Sequence, residues 1–92
     1  MFTPLGPHTR RTDLATAQRL TPVAGGTAVS VQAIVQNVRY TFDGSTPAAT
    51  HGFQLMAGDP PVIIELAPNM ILRFIEEAPT ASLHYQWGIL HP

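Results

Sequence analysis

The sequence predicts an all-β fold, a small antiparallel β-sandwich of jelly-roll-like form with seven or eight strands. Three observations carry that expectation. Apolar and polar residues alternate with a period of two along most of the chain, turn signals recur at the roughly 8–12-residue spacing of a sandwich, and no segment holds a broad helical stripe. The 92 residues fit one domain, short enough that little surface can go to waste.

The elements follow in order. Residues 1–12 contain Pro4, Gly6 and Pro7 and show no period, so they read as an extended arm. Residues 13–20 are the one helix candidate, with Asp13 able to cap it. Leu14, Ala17 and Leu20 make only a thin stripe, however, and Pro22 follows closely, which favours extended chain. The expected organisation is therefore an arm over 1–20 and a sandwich over 21–92.

Gly25-Gly26 is a turn. Beyond it Val29, Val31, Ala33 and Val35 alternate with polar residues, the mark of a half-buried strand. The phase then slips, because Val38, Tyr40 and Phe42 form the next apolar set. A one-residue slip flips every side chain to the other face, so a bulge or tight turn is expected near Gln36-Asn37. Asp43-Gly44-Ser45-Thr46-Pro47 closes this strand as a structural turn. Asp43 can accept from the backbone that follows, Gly44 permits positive φ, and Pro47 holds Thr46 extended.

Phe53, Leu55 and Ala57 suggest another strand, ended by Gly58-Asp59-Pro60-Pro61. Val62-Ile63-Ile64-Glu65-Leu66 is apolar on both faces, Ala67-Pro68-Asn69 turns, and Met70 to Ile75 is again apolar on both faces. Glu76-Glu77-Ala78-Pro79 is a polar turn, and Leu83, Tyr85, Trp87 and Ile89 alternate along the last strand. Tyr85 and Trp87 read as core aromatics rather than a stacking platform.

Charge bounds the function. Only 12% of residues are charged and lysine is absent, against about 25% charged residues in an ordinary domain. Sheets normally guard their edges with lysine, so part of this surface is expected to be covered by protein. Residues 1–20 carry Arg10, Arg11 and Arg19 against Asp13, whereas residues 21–92 carry five carboxylates against Arg39 and Arg73. The three early arginines are the candidate partner-binding residues. They are too few for a nucleic-acid footprint.

Catalytic signals are sparse. There is no cysteine or lysine, Ser30, Ser45 and Ser82 sit in no nucleophile motif, and His8, His51, His84 and His91 lack metal-site spacing. Glu76 and Glu77 point to opposite faces if extended. No catalytic residue, metal or cofactor is expected, and no apolar stretch reaches the roughly 18 residues of a membrane span. Met1-Phe2-Thr3-Pro4-Leu5-Gly6-Pro7 has no apolar leader run.

Val38-Arg39-Tyr40-Thr41-Phe42-Asp43-Gly44-Ser45-Thr46-Pro47 resembles the V-R-Y-x-x-D-G-(S/T)-x-P run of a group of small tailed-bacteriophage proteins. The likeness continues through Ala48 to Gly52, Leu55 to Pro60, Leu72-Arg73-Phe74-Ile75 and Leu83-His84-Tyr85, and covers about residues 33–88. It implies a virion component at the capsid surface, a decoration (cement) protein. The partners would be the major capsid protein, copies of itself, or both, in a homo-oligomer or a lattice, with no nucleic acid and no membrane. A tail or neck component is the alternative. The Y-T-x-D-G-S-x-P core also resembles an accessory β-sandwich of chitin- and hexosamine-processing enzymes, which implies carbohydrate binding instead. On the virion reading, residues 1–12 are expected to strap a neighbour and to be dispensable for folding.

Overall fold

A computed structural model describes residues 2–48, 50–67 and 70–90. These form nine strands in chain order: β1 (Phe2–Pro4), β2 (Thr9–Arg11), β3 (Gln18–Leu20), β4 (Ala28–Ile34), β5 (Val38–Thr41), β6 (Phe53–Leu55), β7 (Val62–Glu65), β8 (Leu72–Glu76) and β9 (Ser82–Leu90). One sheet runs β1-β9-β4-β7 with β2 also on β9, and the other runs β3-β8-β5-β6. Every pairing between these strands is antiparallel. The expected all-β sandwich is therefore present.

β1 and β2 lie on the same edge of β9, at Leu90–Gly88 and Tyr85–Leu83 respectively. They act as one strand interrupted by a bulge at Gly6, which has φ 98°. The Leu5 N–H still donates to Trp87 O at 2.8 Å, and the Gln86 side-chain Nε2 donates to Gly6 O at 3.1 Å. Counting the pair as one strand leaves eight, in the order of a jelly roll. Apart from the bulge and the β5–β6 connection, every link crosses from one sheet to the other.

This placement corrects the expected arm. Residues 2–20 supply edge strands to both sheets, since β3 pairs with β8 from Gln18↔Phe74 to Leu20↔Leu72. Leu14 is completely buried, and its carbonyl accepts from the Glu76 N–H at 3.0 Å. Residues 14–16 form a turn rather than a strand. Prolines and the bulge hide the period here, yet edge strands can tolerate Pro4 because only one side needs donors.

The core lies between the sheets and is built from Val29, Val31, Val38, Leu72, Phe74, Leu83 and Trp87, with Leu14 and Leu20 closing one side. Tyr85 packs half-buried against it, in edge-to-face contact with Trp87. The phase slip has a direct cause. β4 and β5 belong to different sheets, so the inward face changes where the chain crosses. The expected turn on Ala67-Pro68-Asn69 extends into Pro68 and Asn69, which lie outside the described residues.

The crossing is made by a γ-turn. The Gln36 N–H donates to Ile34 O at 2.9 Å around Val35, which has φ 74°. Val35, expected to continue the buried set, is instead 62% exposed. A β-branched residue is strained at positive φ, and little packing is lost by removing an exposed one. Val35→Gly is expected to raise unfolding free energy by about 1 kcal/mol, strain relief exceeding the entropy cost of glycine. Urea denaturation checks this, and an unchanged or lower midpoint would refute the strain.

Candidate assembly surface

The Asp43 turn anchors one end of β5. Ser45 donates to Asp43 Oδ1 through its N–H at 3.0 Å and through its hydroxyl, and these bonds hold the carboxyl below the usual carboxylate range. Gly44 has φ 89° and Pro47 is fully buried. The effect of the turn is to bring Phe42 beside Phe53 of β6, because Tyr40↔Phe53 are register partners.

A run of aromatic rings then leads from core to surface. Phe74 is fully buried and stacks on Tyr40 at 5.4 Å, Tyr40 meets Phe53 at 5.7 Å, and Phe53 stacks on Phe42 at 5.3 Å. Burial raises the Tyr40 phenol above its ordinary pKa. Phe42 and Phe53 are 42% and 57% exposed. A cavity of about 290 Å³ lies against them, with Asp43, Ser45 and His51 on its rim. A second, of about 500 Å³, opens between the sheets from Tyr40 and Phe42 to Val62, Ile64 and Met70.

β7 borders that second opening. It pairs with β4 and with no other described strand, so one row of its backbone groups is free. Val62 and Ile63 are exposed on opposite faces of it, and Met56 is exposed just after β6. One side of the sandwich thus presents an apolar band and two open strand edges. The apolar run of Val62–Leu66 was readable in the sequence. The band's aromatic half was not, because Phe42 and Phe53 fit the inward pattern of their strands and are exposed only because those strands end at the sandwich margin.

The candidate arginines lie on the opposite side. Arg11 is committed within the chain: its guanidinium donates to Asp13 at 2.8 and 3.1 Å and to Gln18 at 3.0 Å, which raises its pKa and lowers that of Asp13. Arg10 and Arg19 are exposed and form no ion pair among the described residues. Arg10 sits opposite His84, and Arg19 opposite Arg73. Like charges directly opposed across strands destabilise a sheet, and Arg73 Nε is buried without a hydrogen-bond partner. Arg39, by contrast, is held by Glu77 at 2.9 Å and by Gly52 O at 3.0 Å.

The described histidines are His8, His51 and His84. His8 Nε2 and His84 Nδ1 are hydrogen-bonded at 2.9 Å, and desolvation, with His8 and Arg10 nearby, lowers the His84 pKa. His51 stands on the aromatic cavity's rim, and His91 lies outside the described residues. Among the described residues no three His, Cys, Asp or Glu side chains gather where an ion could bind, and there is no helix to span a membrane. No protein-family model, curated protein or solved structure matches the chain.

Proposed function

We propose that the chain is a structural protein of the tailed-bacteriophage virion, a capsid decoration (cement) protein that stabilises the head by binding across capsid subunits. The supporting observation is the exposed band of Phe42, Phe53, Met56, Val62 and Ile63 beside the free edge of the apolar strand β7. Folding alone has no use for so many exposed large hydrophobics along one margin, whereas a docking surface does. The jelly-roll order, one architecture of viral capsid domains among others, and the sequence run over Val38–Pro47 point the same way. The role is structural rather than catalytic. A subunit that binds the assembled shell and not its dissociated parts stabilises the shell by mass action.

The test mixes purified protein with undecorated heads, and separately with tails, then measures occupancy after a salt or heat challenge. Saturable retention on heads that is lost in Ile63→Glu supports decoration. Retention on tails alone moves the assignment to a tail or neck component. Binding to neither removes the virion reading.

One observation favours a second reading. The Phe42–Phe53 pair offers an aromatic face, and Asp43, Ser45 and His51 add polar groups at its edge. A sugar ring could lay its C–H face on the rings, whose faces carry negative quadrupole charge. Glycan-array binding that disappears in folded Phe53→Ala, without particle binding, would replace the virion assignment with carbohydrate recognition.

A further inference from the structure

The charge imbalance of the sequence becomes geometric in the fold. Residues 1–20 form the edge strands on one side of the sandwich, β1 and β2 in one sheet and β3 in the other. That side carries Arg10 and Arg19, which form no ion pair among the described residues, with Arg73 beside Arg19. The opposite side is formed by the edges of β6 and β7; β7 carries Glu65 and the β6–β7 loop, tied to Gln32 and Ala33 of β4, carries Asp59, both exposed and neither in an ion pair among the described residues. The same side also carries the exposed rings of Phe42 and Phe53.

The two sides are complementary in three ways. The arginines match the carboxylates in charge. A guanidinium is also the cation best suited to lie on an exposed aromatic ring, and its stem covers apolar surface. Finally, each side ends in strands with unpaired backbone groups. The β7 edge is unlike the β2–β3 edge, and a two-fold pairing of β7 with itself would leave the arginines unused.

We infer that the partner of the β6–β7 margin is the β2–β3 margin of a second copy of this chain, so that copies join head to tail. Such a contact is heterologous and repeats from copy to copy, closing into a ring of more than two copies where the rotation between neighbours permits and running on as an open filament where it does not. The ring rests on the assembly reading above and specifies how the subunit is organised on its particle. Closure would bury Phe42 and Phe53, leave Ile63 on the outer face of β7 open to the capsid, and give Arg19 and Arg73 anionic neighbours that the described residues do not provide.

Native mass spectrometry and light scattering on two reversed-charge chains, R10E/R19E and D59R/E65R, test this. All four positions are exposed, and thermal melting establishes that each variant is folded. The wild type is expected to form a ring of more than two copies that dissociates at high salt. Each variant alone is expected to associate about tenfold or more weakly. Mixed in equal amounts, the two are expected to associate with each other again, in strict alternation only where the number of copies is even, because each reversed margin then meets an opposite one. If a variant does not fold, the neutral forms R10Q/R19Q and D59N/E65Q should show the weakening without recovery on mixing. A monomeric wild type overturns the inference, as does a dimer that survives R10E/R19E or a charge-reversed mixture that stays apart. Retention of a monomeric wild type on heads would overturn the ring and leave the virion reading standing. A ring that binds neither heads nor tails would do the reverse.

Discussion

A chain lacking residues 1–12 is expected to lose most of its stability, with the melting temperature falling by more than about 15 °C or the transition ceasing to be cooperative. The deletion removes β1 and β2, which cover β9 from Phe2↔Leu90 to Arg11↔Leu83. β9 is the longest strand and carries Leu83 and Trp87 into the core. Ladder hydrogen bonds contribute about 1 kcal/mol each, so the loss should be about 4 kcal/mol or more, against a total of only about 5–15 kcal/mol for a domain. Removing Arg11 also releases Asp13 and Gln18, which tie this edge to β3. Circular dichroism during heating checks the result. A cooperative melt within about 3 °C of the full chain, less than 1 kcal/mol would produce, would restore the view of these residues as a detachable strap.

That reversal marks where sequence reading succeeds and where it stops. Val29, Val31 and Ala33 announce their strand because local alternation and burial coincide there. The slip before Val38 located the crossing between sheets, since an inward face can change sheet only by losing phase. Asp43-Gly44 was legible because the turn is satisfied by its own side chains. Residues 2–11 gave no such signal. Their strands are defined by backbone pairing to β9, more than seventy residues away, and edge strands need little apolar alternation. The exposed band shows the same limit. Alternation says that Phe42 and Phe53 share a face, but only the strand order says that this face opens at a margin. The clustering of Arg10, Arg11 and Arg19 was visible along the chain, and the jelly-roll order placed them on one margin with Glu65 on the other.

Gly88→Val is expected to cost about 3 kcal/mol, the upper end for an overpacked site. Gly88 lies within β9 between Ala28 of β4 and Pro4 of β1. A Cβ built there would sit 2.3 Å from the Phe2 ring and 2.5 Å from the Thr3 carbonyl oxygen. The ring can swing aside, but the carbonyl is backbone, so β1 must leave β9. The backbone of Gly88 does not have positive φ, so the cost comes from contact with β1 and not from local strain. Two measurements separate these causes. Adding Phe2→Ala to Gly88→Ala should recover little stability, because the Thr3 oxygen remains in the way. Hydrogen exchange should show lost protection at the amides of β1 while those of β4 and β7 retain theirs. If Gly88→Ala melts like the wild type with β1 still protected, the close packing of β1 on β9 is wrong. The large expected effect of deleting residues 1–12 would then lose one of its two supports, leaving only the β2 pairing.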